Sequence, residues 1–552
     1  MSNEFRLTRR QFLAATGAAG MAGLMGRRMF AGEPVGGASD MLALRSAVVN
    51  SPVGVGLHRA RIFTEVFQQH EAEPWIVRKA LALRKYFETV PLYMRPHDRI
   101  AGSISERPGA MPVMVELGIF DNNIYTSERP DREGYLKGKV PEEILEYWVN
   151  RNMSGLFRTQ VMGQPPVKSH DELKQNPGYK FISNQGHLCP SYEELLRVGI
   201  GGLQKKVKVR RQGETNADKL AFLTAAEHTL AGLSVWAKRY GEFVKDTEMA
   251  RICAKVATQP PGTFREALQL VWLAHQAIHI EGHGYSCTPD RLDQLLLPFY
   301  KADKLDDAEV VRLIENFVLK MYDNAYWGPE HHLTQGFVVG GSTPDGRDLT
   351  NKLSWLMLEG ATNMALPEPL IWLRWHPAID QKFFDFCLTR LTRTTCFPMF
   401  WNDKAVPEGL MALGVSRNDA FNYVPVGCNE LAVPGQCYYN PVASVNYLSA
   451  IESVLSNGRG YKKQWNWKNV APATNELKSF DQFAAAVGAY MRRQVEQSYA
   501  NEMKVLQAQM QWGVTPLTSC FFHGVASRAR AIWRRGRNTT FFRVAASGSP
   551  TQ

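Results

Sequence analysis

A thiol and a carboxylate stand two residues apart in the segment Gly427-Cys428-Asn429-Glu430. In an extended or loop backbone, residues i and i+2 point the same way, so Cys428 and Glu430 can address one small molecule together. A sulfur that exchanges a hydrogen atom beside a carboxylate that moves a proton is a plausible catalytic pair. The alternative is that Cys428 is a small buried hydrophobe, the usual role of a lone cysteine. Spacing alone leaves both interpretations open.

The elements around this segment predict an α/β organisation that would position it. Apolar runs at 333–341, 370–375 and 397–401 predict strands, and periodicity at 349–363 and 405–413 predicts helices between and after them. Such alternation brings polar groups from strand ends to a common interior. Further helices are predicted at 59–70, 74–90, 141–152, 191–206, 216–247, 264–280, 306–325, 442–456 and 480–508.

Charge and composition exclude several classes of protein. The chain has 552 residues, 45% of them apolar, enough to bury a large core. Of its net charge of +11, residues 1–31 carry +4 and residues 527–552 carry +6, which leaves +1 for the body between them. A body so balanced lacks the basic surface typical of nucleic-acid binding. No apolar run reaches membrane-spanning length.

Cysteine and histidine spacing predicts no metal site. The eight cysteines include no C-x-x-C pair, which disfavours structural zinc and a disulfide scaffold. His279 and His283, like the pair at 331–332, are ligand types without a third ligand at suitable spacing. A cysteine hydrolase is also disfavoured, because Glu430 would raise the pKa of the Cys428 thiol rather than lower it.

The N-terminal residues 1–31 are predicted to be a twin-arginine export signal. Arg9 and Arg10 precede a stretch of small and mildly apolar residues, an order typical of such signals. The predicted location is therefore the periplasm, and residues 32–50 are predicted to be a linker. The alternative is a flexible basic tail.

Polar residues near the predicted strands have structural interpretations. Arg374 and His376 are interpreted as partners of a buried acid in preference to ligands of a substrate carboxylate. Asp403 is interpreted as a helix cap, because it precedes the helix predicted at 405–413.

Six segments in order resemble glycyl radical enzymes of the pyruvate formate-lyase type, and the likeness covers residues 50–528. Gly427-Cys428-Asn429-Glu430 resembles the G-C-V-E loop of the dehydratase-like branch. One match would be weak, whereas six in the same order are specific. The other segments are Pro91-Leu92-Tyr93-Met94-Arg95-Pro96, Gly186-His187, Thr263-Phe264-Arg265-Glu266-Ala267-Leu268-Gln269, Gly284-Tyr285-Ser286 with Arg291-Leu292-Asp293-Gln294, and Gly340-Gly341 with Pro344-Asp345-Gly346.

The resemblance implies a ten-stranded α/β barrel surrounded by helices over residues 51–528, incomplete at the C-terminus. It implies that Cys428 forms a thiyl radical at the barrel centre and that Glu430 transfers protons. The implied activity is that of a lyase or dehydratase on a small organic substrate. No bound cofactor is implied, and the organic radical is normally installed by a radical-SAM activating enzyme.

The resemblance also implies that His187, Tyr285 and Ser286 contact the substrate. Tyr285 stands where the dehydratases have histidine, and no acid lies between Glu430 and Glu452, so recognition of a polyol is in doubt. Pyruvate formate-lyase itself has two adjacent cysteines in this loop. Pyruvate cleavage is therefore disfavoured.

Residues 529–552 are predicted to be a basic tail. The family's radical loop reads approximately R-V-x-G, whereas Arg543-Val544-Ala545-Ala546 has Ala546 in place of the glycine. We expect a truncated chain that lacks the glycyl radical domain, with the radical supplied by a small glycyl-radical subunit. The alternative is a catalytically inactive exported remnant that acts as a binding or scaffold protein. Neither a nucleic-acid nor a membrane partner is expected, and a homodimer is left open.

Overall fold

The computed structural model describes residues 31–118, 140–169, 172, 186–282, 286–325, 334–392, 398–427, 430–436, 442–459, 467, 469–524 and 543–547. The helices are α1 Ser39–Val49, α2 His58–Gln69, α3 Trp75–Thr89, α4 Glu142–Trp148, α5 Met153–Leu156, α6 Glu193–Arg211, α7 Ala217–Phe243, α8 Thr247–Val256, α9 Phe264–Glu281, α10 Leu292–Leu295, α11 Leu297–Ala302, α12 Asp307–Ala325, α13 Lys352–Asn363, α14 Gln381–Leu391, α15 Ala405–Ala412, α16 Arg417–Phe421, α17 Tyr447–Leu455, α18 Phe480–Trp512 and α19 Pro516–Ser519. The strands are β1 Gly54–Gly56, β2 Ala110–Pro112, β3 Gly336–Gly340, β4 Leu370–Trp375, β5 Met399–Asn402, β6 Val424–Val426, β7 Glu430–Ala432, β8 Val442–Asn446 and β9 Arg543–Ser547.

A wall of parallel strands forms the centre of the fold. Strands β3, β4 and β5 pair in parallel, with Gly336 opposite Leu370 and Trp372 opposite Met399. Parallel bridges from Leu188 to Cys287 and from Cys287 to Gln335 extend this wall by two more segments. Parallel neighbours need crossover connections, which α13 and α14 provide.

Alternation along these strands separates an outer from an inner face. Phe337 and Val339 of β3 join the main core, which the surrounding helices complete. Val338, between them, packs instead with Trp372 and with Val424 in a second apolar cluster. Successive strand side chains point to opposite faces, so the hairpin of β6 and β7 lies on the inner face of the wall.

Helix α9 shows how completely the outer layer is buried. Apart from Arg265, every residue from Phe264 to Glu281 is buried. Its start is capped by the Thr263 side chain, and it ends at Gly282 in a left-handed conformation. A helix that is buried nearly all round must be covered on all sides, and α9 lies between the wall and other helices. None of the described helices combines the length and apolarity that crossing a bilayer requires.

Two segments differ from the sequence-based predictions. The predicted linker at 32–50 contains helix α1, in which Met41, Leu44 and Val48 recur at helical spacing and enter the main core. The helix predicted over 442–456 divides into strand β8 and helix α17, because Asn446 ends the strand and caps the helix by accepting from the Ser449 amide.

A buried ion pair joins the carboxyl ends of the parallel strands. Arg374 donates two hydrogen bonds of 2.8 Å to Asp403, and both side chains are fully buried. The Tyr423 hydroxyl and the Ser342 amide also donate to Asp403, at 2.8 and 2.7 Å. Burial alone raises the pKa of Asp403, but Arg374 and the other donors outweigh it and hold that pKa below its usual value.

This pair confirms the prediction that Arg374 binds a buried acid, whereas His376 lies 3.1 Å from Asp348, whose side chain is partly exposed. The prediction that Asp403 caps a helix is wrong. Arg374 occupies the Asp403 carboxylate, and it is the Asn402 side-chain oxygen that accepts from the Lys404 and Ala405 amides ahead of α15.

Replacing Arg374 with methionine should leave Asp403 buried without its cation. We expect the free energy of unfolding, measured in urea, to fall by about 3–5 kcal/mol. The matched control is Arg347→Met, which breaks the solvent-exposed pair with Asp345 and should stay close to wild type. Equal losses in both variants would contradict a special role for the buried pair.

Candidate active site

The hairpin of β6 and β7 carries the catalytic pair predicted from sequence. Its strands are antiparallel, with Val426 opposite Glu430. Gly427 follows β6 in a left-handed conformation with φ of +57°. Cys428 and Asn429, which stand between Gly427 and Glu430 in the sequence, lie outside the described residues. The thiyl role of Cys428 therefore stays a prediction.

Gly427 lies directly against two residues that were predicted to contact the substrate. A Cβ atom at this position would be 2.6 Å from His187 Cδ2 and 2.7 Å from Ser286 Oγ. Real Cβ contacts are longer than this, so a side chain has no room here. Both the positive φ and this close approach require glycine.

An acid and an imidazole meet beside this turn. His187 Nε2 lies 3.4 Å from Glu430 Oε1, and both side chains are buried. A buried carboxylate next to a group that can carry positive charge is well placed to take up and return a proton. Glu430 opens β7, which keeps it on the inner face of the wall with the rest of the hairpin.

Local backbone strain marks the same place. His187 and Ser286 have positive φ angles of 43° and 66°, which side chains rarely adopt. The neighbouring bridge fixes them, since the Leu188 amide donates to the Ser286 carbonyl at 3.1 Å. Strained residues of this kind cluster at functional sites when the surrounding structure over-determines them.

Thr288 is a positioning residue that the sequence analysis missed. Its hydroxyl donates to the Pro425 carbonyl at 2.9 Å and thereby ties the hairpin to the wall two residues beyond Ser286. The only feature of the sequence that could have pointed to Thr288 is its position two residues after Ser286, because residues i and i+2 of a strand share a face.

The structure thus brings together three of the five predicted site residues. His187 and Ser286 lie against Gly427 and Glu430 contacts His187, while Tyr285 and Cys428 lie outside the described residues. The catalytic and binding roles of all five stay predictions.

A buried acid continues the segment that carries Ser286. Burial raises the pKa of Asp290 to about 6, although amide donors oppose the shift. Those donors are Arg291 N at 2.7 Å and Tyr192 N at 3.3 Å. This carboxyl therefore titrates within the range in which enzymes are assayed.

A wall of parallel strands, covered outside by helices and holding an antiparallel hairpin on its inner face, has the organisation of an α/β barrel protein. The family described as pyruvate formate lyase-like matches residues 39–551, and the chain belongs to this family. The predicted family and fold class are thereby confirmed; the number of ten strands remains an implication of the family.

Curated and solved relatives agree with this assignment. The chain is 25% identical to (2S)-3-sulfopropanediol dehydratase of Klebsiella oxytoca, over 92% of this chain and 67% of that protein. It is 26% identical to a probable dehydratase of Escherichia coli, over 82% of this chain and 62% of that protein. The glycerol-bound structure of glycerol dehydratase from Clostridium butyricum superposes with a TM-score of 0.81 at 24% identity, covering 93% of this chain and 69% of that one.

The curated relatives are named as dehydratases and lyases, and a solved glycyl radical enzyme from Archaeoglobus fulgidus shares the fold with a TM-score of 0.78. This chain spans 67% of the first of them and 55% of an isethionate sulfite-lyase of Oleidesulfovibrio alaskensis.

Substituting alanine for Gly427 should destabilise the protein more than the same change at another left-handed glycine. Gly414 has φ of +88° and no atom within 4 Å of the place that a Cβ would occupy, so Gly414→Ala carries only the backbone cost of about 1–2 kcal/mol. Gly427→Ala adds overpacking of about 1–3 kcal/mol. Urea unfolding of both variants measures the difference, and equal losses would contradict the close approach.

The titration of Asp290 should make stability fall as pH rises. Its folded pKa of about 6 exceeds the unfolded value of 3.8, so its contribution is fully present below pH 3.8 and is lost as pH rises to 6. The loss is on the order of 3 kcal/mol. Between pH 3.8 and 6, the free energy of unfolding of Asp290→Asn should fall less than that of the wild type. The exposed control Asp385→Asn should show the same pH dependence as the wild type.

Proposed function

We propose that this chain is the catalytic barrel of a glycyl-radical-type lyase or dehydratase acting on a small hydroxylated substrate. The observation that carries the proposal is the buried contact of 3.4 Å between His187 and Glu430 beside Gly427, the residue that precedes Cys428. The names of the relatives, which include dehydratases and sulfite-lyases, support elimination as the reaction class.

The proposed reaction begins and ends at the Cys428 sulfur. The thiyl takes a hydrogen atom from the carbon that bears the substrate hydroxyl, so a C–H bond breaks and an S–H bond forms. Glu430 takes the hydroxyl proton while the neighbouring carbon releases its leaving group with the bonding electron pair. The thiol returns its hydrogen atom to that carbon, and the proton leaves with the departing group. The products are a carbonyl compound and water or another acid.

The other site residues would orient the substrate. In this proposal Ser286 donates a hydrogen bond to a substrate oxygen, and His187 shares a proton with Glu430 and assists the leaving group. Tyr285 would be the third residue in contact with the substrate. Burial of His187, Ser286 and Glu430 supports these roles, since protons and radicals are better kept from water in a closed site.

The source of the radical is part of the proposal. Ala546 stands where the family pattern has glycine. We propose that a small glycyl-radical subunit supplies the radical and that a radical-SAM enzyme installs it. Twin-arginine export is likewise a proposal, because residues 1–30 lie outside the described part of the chain.

Replacing Glu430 with glutamine should abolish turnover while binding is kept. After anaerobic activation with a glycyl-radical partner, we expect kcat on the best of several short diols and hydroxysulfonates to fall at least about 100-fold. The matched control is Glu408→Gln, an exposed glutamate on α15, which should keep wild-type kcat. Wild-type rates in Glu430→Gln would contradict the proton-transfer role.

An isotope experiment separates this proposal from a non-catalytic binding protein. With deuterium on the hydroxyl-bearing carbon, the label should appear on the neighbouring carbon of the product, because the same sulfur removes and returns it. Cys428→Ala should bind the substrate in calorimetry and form no product. Binding without turnover in the activated wild-type protein would instead favour the binding-protein alternative.

A further inference from the structure

A cavity of about 770 Å³ lies between helix α6 and residues 520–524. This volume is within the range of roughly 300–1,000 Å³ that is typical of ligand sites in proteins. None of the described residues of the candidate active site lines it. The proposed radical reaction therefore leaves this cavity without a role.

Most of the lining of the cavity is apolar. Leu203 and Val207 of α6 line it together with Phe521 and Phe522, and all four side chains are buried in the main core. Val209, which also lines it, is 58% exposed, so apolar surface remains open to solvent there. A ligand with an apolar body would remove this surface from water, which is favourable.

Backbone hydrogen bonds hold the wall that residues 520–524 form. The Ser191 amide donates to the Phe521 carbonyl at 3.0 Å, and the His523 amide donates to the Gly435 carbonyl at 2.9 Å. The Gly435 amide in turn donates to the Cys189 carbonyl at 2.9 Å. Three segments far apart in the chain are joined in this way. The cavity is therefore formed before any ligand binds, as most ligand sites are.

Basic side chains of α6 border the cavity. Lys205, Lys206 and Arg210 line it, against one acid among the described residues, Glu194. Lys206 pairs with Glu194, and Arg210 lies 2.7 Å from Glu214. Lys205 is exposed and has no carboxylate partner in the part of the chain that the structure describes. The rim of the cavity therefore attracts an anion, and Lys205 is the cation that remains to pair with it.

We propose that this cavity binds a long-chain carboxylate, with the alkyl chain on the apolar lining and the carboxylate at Lys205. A lysine donates charge-assisted hydrogen bonds to a carboxylate, while burial of the chain against Phe521 and Phe522 supplies the hydrophobic contribution. The basic segment 528–537, which follows Gly524 in the sequence, has the same sign of charge as the rim. Like-charge repulsion therefore disfavours this segment as the occupant.

Calorimetric titration of the full chain with decanoate and with 1-decanol tests the site. The wild-type protein should bind about one equivalent of decanoate, and 1-decanol should bind at least about tenfold more weakly because it lacks the charge. Lys205→Glu should weaken the binding of decanoate about tenfold and leave that of 1-decanol unchanged. The matched control is Lys208→Glu, at an exposed lysine of the same helix that does not line the cavity, and it should keep the wild-type affinity for both. Because the readout is binding, the result does not depend on the proposed radical reaction.

Filling the cavity is the second test. Val198→Trp should abolish the binding of both probes while circular dichroism shows the wild-type helix content, because the indole would occupy the space of the alkyl chain. If this variant does not fold, the two lysine variants decide the matter.

Three results would overturn the proposal. They are equal affinities of the wild type for decanoate and 1-decanol, no saturable binding of decanoate, and equal losses in Lys205→Glu and Lys208→Glu. A wild-type dimer in sedimentation that Val198→Trp converts to a monomer would also overturn it, in favour of a second copy of this chain as the occupant.

Discussion

The buried pair of Arg374 and Asp403 is the interaction on which the arrangement of the site depends. Two charges taken out of water are costly unless every remaining donor and acceptor is matched. The Tyr423 hydroxyl and the Ser342 amide donate hydrogen bonds to the lone pairs of the Asp403 carboxylate that Arg374 does not use. These residues come from β4, from the loops after β3 and β5, and from the residue just before β6. Holding them together fixes where the hairpin enters the inner face of the wall.

From that entry point, close packing determines the geometry of the site. The hairpin contacts the inner side chains Val338 and Trp372, and Thr288 holds its first strand by a hydrogen bond. Gly427 then reaches His187 and Ser286 with no space for a side chain. Because interiors are close-packed, a small displacement of the hairpin would separate the acid from the imidazole.

Strongly periodic segments were predictable, and segments that depend on context were not. The strand predicted at 370–375 matches β4, and the helix predicted at 264–280 matches α9 to within one residue. The prediction of a linker at 32–50 was wrong. The short helix α1 has few sequence signals of a helix, and its burial becomes evident only from the core that covers Met41. Asp403 was mistaken for a cap because chain proximity to a helix is visible in a sequence, whereas a partner on another strand is not.

The sequence by itself determined which residues could do the chemistry, their order and the family, because motifs of type and spacing are local properties of the chain. Only the tertiary structure decided that His187 reaches Glu430, that Gly427 leaves no room for a side chain, and that a cavity with a basic rim forms between α6 and residues 520–524. These contacts join segments far apart in the chain. Their distances follow from how the strands and helices pack, which local periodicity does not encode.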